Sequence, residues 1–199
     1  MKELHKMKLQ QSFASLKNGD LLFVPDTNEN LSQIIARSTV VKTVVRPHPR
    51  KNYTHVGVLE HSLEGLFVLH ATPTKGCIRE SLTDFLNDQQ SIDVYRLKNS
   101  NIDHESAIRR GKTLLGEPYN SSFIAEQPGY YCSEFVCALY KDIFAQTPMS
   151  FGPNGSILPE WHSYYKKLNL PIPNGLPGSS PNSLLNQGMT DFITTLSKK

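Results

Sequence analysis

Residues 53–72 read YTHVGVLEHSLEGLFVLHAT, and this stretch decides the fold. Apolar and polar side chains alternate on either side of a short polar stretch, which is typical of a β-hairpin. We predict that Glu60 and Gly65 close the turn between the two strands. In that register His55 and His70 face each other on one side of the sheet, with their Cβ atoms about 5 Å apart. A shift of one residue in the loop would separate them.

Hydrophobic spacing elsewhere in the chain predicts a mixture of strands and helices. Strands are predicted at Leu21–Val24, Tyr53–Glu60, Leu66–Thr72, Gly76–Glu80 and Ile92–Leu97. Helices are predicted at Glu29–Ser38, Leu82–Leu86, Asp103–Leu115, Tyr131–Phe144 and Glu160–Lys167. The C-terminal stretch, about residues 168–199, is rich in proline and glycine, and we expect an irregular wrap there with a short helix after Met189.

Length and composition indicate one folded domain spanning residues 1–199, since domains usually contain about 100–200 residues. The chain has 38% hydrophobic and 20% charged residues, which is far from the composition of a disordered chain. A net charge of +3 is too small to suggest nucleic-acid binding, and the basic cluster Lys42–Lys51 is interpreted as a solvated loop. No apolar run approaches the ~20 residues that cross a bilayer, so no transmembrane segment is expected.

The helix predicted at Tyr131–Phe144 contains a candidate nucleophile. Its apolar side chains recur every three or four residues, so one stripe faces the core and Cys132 lies in the first turn. The thiolate is the nucleophilic form of cysteine, whose ordinary pKa is about 8.5. A neighbouring imidazolium and the positive end of a helix both lower that pKa. We therefore expect the Cys132 sulfur to be ionised at neutral pH.

The two hairpin histidines are the natural partners of Cys132. In this interpretation His55 is the base that later protonates the leaving group, and His70 fixes the tautomer of His55. The backbone N–H of Cys132 would stabilise the developing oxyanion, and a neighbouring tyrosine hydroxyl could assist. Glu134, in the same helical turn, counts weakly against the site because its negative charge opposes formation of the thiolate.

Other interpretations of the same residues stay open. A cysteine on an apolar helix stripe is usually a small core residue, and a strand histidine is usually a packed one. The three cysteines contain no CxxC pair, so Cys77 and Cys137 are expected to be structural free thiols. The His/His/Cys group would also fit a structural zinc site, although a closed zinc site uses four ligands. A binding module without turnover is a further possibility.

Short motifs spread over about residues 19–185 resemble the permuted papain-like cysteine hydrolases of the NlpC/P60 superfamily, in particular the YiiX/YebB-like branch. They follow the family's order and comprise GDLLF at 19–23, THVGV at 54–58, VLHA at 68–71, GCIR at 76–79, GEPYN at 116–120, YCSEFV at 131–136, IPNG at 172–175 and GSSPN at 178–182. Histidine precedes cysteine in the chain, as in the circularly permuted members.

The resemblance implies an α+β fold of the circularly permuted papain-like type, in which a small, mostly antiparallel sheet packs on the nucleophile helix. It implies a cysteine amidase or peptidase without a metal or organic cofactor. By position, Cys132 resembles the family nucleophile, His55 the base and His70 the third polar residue, where many YiiX-like relatives carry glutamate. Tyr131 matches the tyrosine beside the nucleophile and is expected to support the substrate or the oxyanion.

The substrate implied by the resemblance is an amide in a cell-wall peptide or a small acyl-amide, cleaved through an acyl-thioester. Acyl transfer by the same site, as in lipid-acting relatives, is the alternative. Relatives are often exported to the bacterial envelope, whereas residues 1–13 lack the apolar stretch of a secretory leader, so the compartment stays open. The sequence gives no signal for oligomeric state.

Overall fold

The strands of the protein form one large sheet and one small one. The computed structural model describes residues 13–25, 30–39, 52–87, 89 and 91–197, so the cluster Lys42–Lys51 lies outside the described residues. The strands there are β1 (Leu21–Pro25), β2 (Tyr53–Ser62), β3 (Gly65–Thr72), β4 (Gly76–Ser81), β5 (Ser91–Leu97), β6 (Thr147–Pro148), β7 (Pro177–Gly178) and β8 (Thr190–Ser197). The 6-stranded sheet has the order β4-β3-β2-β1-β5-β8 with antiparallel neighbours throughout, and β6 pairs with β7.

Five of the six helices that the structure describes lie at predicted positions. The six are α1 (Asn30–Ser38), α2 (Leu82–Asn87), α3 (His104–Thr113), α4 (Cys132–Leu139), α5 (Pro159–Leu168) and α6 (Pro181–Asn186), with a 3₁₀ turn at Pro153–Gly155. Helix α4 ends at Leu139, five residues before its predicted end, and α6 was not predicted. The Asp103 side chain accepts the Ser106 N–H at the start of α3, as an N-cap should. Within the described ranges, no helix has the length and apolar content to span a bilayer.

Two separate cores cover the two faces of the large sheet. Along β1, Leu21 and Phe23 point into the core that contains α4, whereas Leu22 and Val24 point into the core on the other face. Successive strand residues point to opposite faces, so a strand covered on both sides is apolar throughout. The α+β class and the mostly antiparallel sheet are confirmed.

The register of the β2–β3 hairpin differs from the prediction. Ser62 pairs with Gly65, and Val58 pairs with Leu69, so the turn is tighter than the predicted Glu60–Gly65 closure. In this register His70 lies opposite Gly57, and the prediction that His55 stands directly opposite His70 is wrong. The shift keeps both histidines on one face because side chains alternate with a period of two.

Contacts that are distant in sequence explain the longer strand. Alternation alone suggested that β2 ends at Glu60, but this carboxylate is buried and forms ion pairs with Arg79 of β4 and Lys112 of α3. A paired carboxylate is compatible with a strand interior. Gly65, with a φ of 136°, permits the tight turn between β2 and β3.

The C-terminal segment is more regular than the expected wrap. The short helix predicted after Met189 is wrong, because residues Thr190–Ser197 form β8 and pair with β5. β-branched residues dominate this segment and suit a pleated surface, and Leu196 is fully buried in the core on the α2 side. Helix α6 lies just before it and begins at Ser180, whose hydroxyl accepts the Ser183 N–H.

Candidate active site

The Cys132 sulfur lies at the start of α4, against strand β2. The backbone N–H groups of Val56 and Ser133 lie close enough to lower its pKa. Val56 lies beyond Val58, where the paired part of the β2–β3 ladder ends. The sulfur is therefore held near the point where these two strands part, with N–H donors around it.

The first turn of α4 is fixed by Glu134. Its carboxylate accepts the backbone N–H of Tyr131 at 3.3 Å and lies 3.4 Å from the Asn120 side-chain amide. Burial raises the pKa of Glu134 to about 7. A carboxyl that is half protonated near neutral pH opposes a thiolate less than the full negative charge expected from the sequence.

The protonation of Cys132 differs from the prediction. Burial raises the pKa of its thiol to about 11, although the Val56 N–H acts in the opposite direction. The free-energy cost of removing a thiolate from water exceeds the stabilisation that a single helix N-terminus and a few N–H donors provide. The resting sulfur at pH 7 is therefore a thiol, and the expectation of an ionised sulfur is not met.

His55 of β2 and His70 of β3 are in direct contact. His55 Nε2 lies 2.8 Å from His70 Nδ1, and the ring centroids are 5.1 Å apart in an edge-to-face arrangement. Phe85 of α2 packs against both rings. Gly57 makes this approach possible, because a Cβ at that position would lie 2.6 Å from Val68 Cγ1 and 3.2 Å from His70 Cβ.

The charge state of His55 follows from its surroundings. Burial, and to a lesser extent the neighbouring His70, lower the pKa of His55 to about 3. Its imidazole is therefore neutral at pH 7 and has a free lone pair with which to accept a proton. A neutral imidazole and a neutral thiol therefore replace the resting ion pair that the sequence suggested.

A carboxylate on the next strand of the sheet lies beside the His55–His70 pair. Glu80 of β4 places Oε1 2.9 Å from His70 Nε2. His70 pairs with Ile78 in the β3–β4 ladder, so Glu80 lies diagonally across from it on the same face. The His70 contact lowers the pKa of Glu80 and keeps the carboxyl ionised.

The nucleophile helix and the imidazole pair approach β2 from opposite sides. His55 pairs with Val24, whose side chain belongs to the core opposite α4, whereas Cys132 belongs to the core that contains α4. In the described part of the chain, hydrogen bonds join His55 to His70 but do not join Cys132 to either ring. The sulfur reaches β2 at Val56, the residue after His55.

A cavity of about 740 Å³ opens beside Cys132. Cys132, Tyr119 and Tyr131 contribute to its wall. Most of the remaining wall is apolar and includes Ile35, Phe123, Met149, Phe151 and Trp161. His55 and His70 are not among the described residues that line it. Cavities of this size and character suit small organic ligands with an apolar part.

Tyr131 and Tyr119 supply hydroxyl groups in this cavity. The Tyr131 hydroxyl accepts the Ser179 N–H at 3.1 Å, and burial raises the pKa of Tyr131 to about 12. Burial, followed by the neighbouring Cys132, also raises the pKa of Tyr119 well above its usual value. Both phenols therefore keep their protons at neutral pH and can act as hydrogen-bond donors.

A metal centre is not indicated by the donors that the structure describes. No three His, Cys, Asp or Glu side chains in this part of the chain are grouped so that they could hold a metal ion. His55 and His70 direct one nitrogen each at the other, at hydrogen-bond distance, which differs from two nitrogens facing a common ion.

Comparison with known families identifies the class of protein. The family model described as "Permuted papain-like amidase enzyme, YaeF/YiiX, C92 family" matches residues 15–194. The chain therefore belongs to this family of permuted papain-like amidases, and it is an enzyme of the cysteine amidase or peptidase type. The predicted resemblance to the YiiX-like branch is confirmed.

A solved structure supports the same fold. The chain is similar to the crystal structure of the metalloprotein YiiX from Escherichia coli O157:H7, with a TM-score of 0.73 and 19% sequence identity. The match covers 92% of this chain and 99% of that one. The comparison with curated proteins found no match to the chain. The permuted papain-like fold class is confirmed by the family and structural matches together.

Two groups near the site received no role from the sequence. Glu80 lies within the GCIRE strand segment, but its proximity to His70 depends on the β3–β4 register, which the sequence alone did not fix. Tyr119 is part of the GEPYN motif, which suggested a family and no chemistry. A register derived from the Thr72–Gly76 closure would have placed Glu80 diagonal to His70.

Proposed function

We propose that the protein cleaves an amide bond through an acyl-thioester on Cys132. The observation that carries this proposal is the position of the Cys132 sulfur, which lies at a helix start, in the wall of the cavity and against the residue that follows His55. Acyl transfer requires a nucleophile, a base and N–H donors. The roles of His55, His70 and Tyr131 are part of the proposal, and His55 is chosen as the base because it directly precedes Val56 in β2.

The proposed reaction starts from the neutral thiol. His55 accepts the Cys132 proton while the sulfur attacks the substrate carbonyl carbon, which forms a tetrahedral oxyanion. Because the two side chains approach β2 from opposite sides, this step requires the His55 ring to turn towards the sulfur during the reaction. This intermediate collapses, the C–N bond breaks, and the leaving amine takes the proton from His55. Water then attacks the thioester, with His55 accepting one of its protons. The carboxylic acid leaves, and the proton returns to the sulfur.

In this proposal, groups in the cavity wall stabilise the oxyanion. The backbone N–H of Cys132 lies in the first turn of α4, and helix N-termini favour negative charge. Tyr131 and Tyr119 keep their protons and supply side-chain donors in the wall that also contains Cys132. We assign the oxyanion to these groups, with Tyr131 as the residue that the sequence had suggested.

The cavity favours an acyl-amide over a cell-wall peptide. Phe123, Met149, Phe151 and Trp161 form an apolar part of its wall, which holds a hydrocarbon chain better than the polar backbone of a peptide. Serine, threonine and asparagine side chains, Ser133 among them, line the rest. The proposed substrate is thus an amide whose acyl part is apolar. Transfer of the acyl group to an amine or alcohol instead of water is the competing reaction at the same site.

Hydrolysis of acyl-amides with short and long chains tests the proposal. We expect the longer apolar chain to raise kcat/KM, Cys132→Ala to abolish turnover, and His55→Ala to lower kcat by about 10²–10⁴-fold, as expected for loss of a general base. Cys137→Ala is the matched control, since Cys137 lies one and a half turns away on the same helix, and its activity should stay near wild type.

Three results would oppose the proposal. Turnover that survives Cys132→Ala would show that Cys132 is not the nucleophile. Turnover that is unaffected by His55→Ala would show that His55 is not the base. A clear preference for cell-wall peptides over acyl-amides overturns the substrate class. Product analysis with an added amine separates the two reactions, because acyl transfer yields a new amide in place of the free acid.

A further inference from the structure

We infer that Glu80 is a positioning residue that fixes the tautomers of both histidines, so that the catalytic arrangement extends across three strands to a buried carboxylate. This inference rests on the proposed function, because it concerns how His55 is prepared to act as the base. The sequence assigned no role to Glu80. It predicted that the series of interacting side chains ends at the neutral imidazole of His70.

The contacts define a continuous row. His55 of β2 touches His70 of β3 at 2.8 Å, and His70 Nε2 lies 2.9 Å from Glu80 Oε1 of β4. The side chain of His70 is 4% exposed and that of Glu80 is 18% exposed, so the second contact is largely shielded from water. Charge interactions are stronger in such surroundings than at an open surface.

The Glu80 carboxylate offers an acceptor to His70 Nε2. Nε2 is buried and has no aligned hydrogen-bond partner among the described residues, although Glu80 Oε1 lies 2.9 Å from it. An N–H left unpaired at a buried position is costly, so the carboxylate favours the tautomer that has its proton on Nε2.

The tautomer of His70 then determines that of His55. With the proton on Nε2, His70 Nδ1 is an acceptor, and the 2.8 Å contact requires His55 Nε2 to be the donor. The remaining nitrogen of His55, Nδ1, is left without a proton. Glu80 thereby prepares the lone pair that takes the Cys132 proton, two hydrogen bonds away from the carboxylate.

The same row stabilises the protonated base. When His55 becomes an imidazolium during the reaction, its Nε2–H continues to donate to His70, and the Glu80 charge lies beyond it. A buried negative charge favours a nearby imidazolium. The other charged groups that act on Glu80 are Lys75 and Asp84, and their effects on its pKa oppose each other and follow that of His70.

Nitrogen NMR of the histidine rings tests the tautomers in the wild-type protein. We expect His70 to carry its proton on Nε2 at neutral pH, and His55 likewise. The isosteric variant Glu80→Gln should shift His70 towards a mixture of tautomers, because an amide can face Nε2 with either its oxygen or its NH₂. A wild-type His70 that carries its only proton on Nδ1 overturns the inference without any variant.

Alkylation of Cys132 by iodoacetamide at pH 7, followed by peptide mass analysis, provides the kinetic readout. Glu80→Gln should slow alkylation by about 10- to 100-fold, a range taken from the outer partners of metal-bound histidines. Asp84→Asn is the matched control, since it removes the same charge from a neighbouring site and should react like wild type. If circular dichroism shows that Glu80→Gln is unfolded, Glu80→Asp takes its place. Aspartate keeps the negative charge but holds it farther from His70, so the alkylation rate of this variant should lie between the rate expected for Glu80→Gln and that of wild type.

The outcomes separate this inference from the proposed function. Equal rates for Glu80→Gln and Asp84→Asn, with a slower His55→Ala, overturn the role of Glu80 and leave the base in place. A His55→Ala variant that alkylates as fast as wild type overturns the base, whereas the NMR result still decides whether Glu80 fixes the tautomers.

Discussion

At the scale of single residues, burial has the largest effect on the chemistry of the site. It raises the pKa of Cys132 to about 11 and lowers that of His55 to about 3. Both shifts favour the uncharged form, so the resting site contains a thiol and a neutral imidazole. In the proposed reaction, proton transfer must then accompany attack on the substrate, as it does for a serine nucleophile.

The pH dependence of Cys132 alkylation distinguishes the two resting states. Because the thiolate fraction grows until the pH passes the thiol pKa, the rate should still be rising at pH 9. A resting thiolate–imidazolium pair would instead give a rate that is already constant near pH 6. Peptide mass analysis over a pH series measures this, and an early plateau would contradict a neutral resting thiol.

Gly57 is the residue on which the imidazole pair depends. A Cβ at this position would approach Val68 and His70 too closely, so Gly57→Ala should lower the free energy of unfolding by about 1–3 kcal/mol, the usual cost of overpacking. It should also displace His70 and slow Cys132 alkylation. Unchanged stability together with unchanged alkylation would show that the space around residue 57 is larger than the structure indicates.

At the scale of secondary-structure elements, a buried charge cluster holds the hairpin in register. Glu60 of β2 forms ion pairs with Arg79 of β4 and Lys112 of α3, and these partners outweigh its burial and lower its pKa. A carboxyl with a lowered folded-state pKa contributes stability above its unfolded pKa and loses it as the pH falls. The cluster also explains why β2 continues past Glu60.

Substitution of Glu60 measures this contribution. Glu60→Gln should lower the free energy of unfolding at pH 7 by about 1–3 kcal/mol, because it removes charged hydrogen bonds. The difference from wild type should shrink as the pH falls below the ordinary glutamate pKa of about 4.3, and it should vanish only once Glu60 is protonated in the native state as well, because its native pKa is lowered. Urea denaturation over a falling pH series gives these numbers.

Glu64→Gln is the control for that experiment. Glu64 lies 3.4 Å from the same Arg79, but its side chain is 75% exposed, and exposed pairs contribute about 0–1 kcal/mol. Equal losses for Glu60→Gln and Glu64→Gln would mean that the buried cluster is no more important than a surface ion pair.

At the scale of the whole molecule, local patterns predicted most elements and some of the site. Alternation and helical spacing located β1 to β5, α1 to α5 and the position of Cys132 at a helix start. The hairpin register was two residues off because Glu60 finds its partners on β4 and α3, which are distant in sequence. The C-terminal strand was missed because its pairing with β5 is also long-range.

The remaining features of the site depend on the assembled fold. Glu80 reaches His70 only through the β3–β4 register. The raised pKa of Cys132 reflects packing from both α4 and β2, which no short motif encodes. Motifs identified the residues and the family, whereas their protonation and their outer partners required the three-dimensional arrangement.

The apolar cavity is a property of the whole molecule, since α1, α5 and the loop before α4 all contribute to its wall. Trp161→Ala enlarges the part of the cavity formed by α5. If the cavity holds the acyl chain, this variant should raise KM for long-chain amides while KM for short-chain amides changes little. Steady-state kinetics with both substrates checks this, and equal changes in the two KM values would contradict the assignment.

Mass measurement of the intact protein after rapid mixing with an activated long-chain acyl-amide tests the central claim most directly. We expect a gain equal to one acyl group replacing the thiol hydrogen, located on the peptide that contains Cys132, formed more slowly in His55→Ala and absent in Cys132→Ala. Product release without any adduct in wild type and with equal speed in Cys132→Ala, or an adduct located on Cys77 or Cys137, would contradict the account.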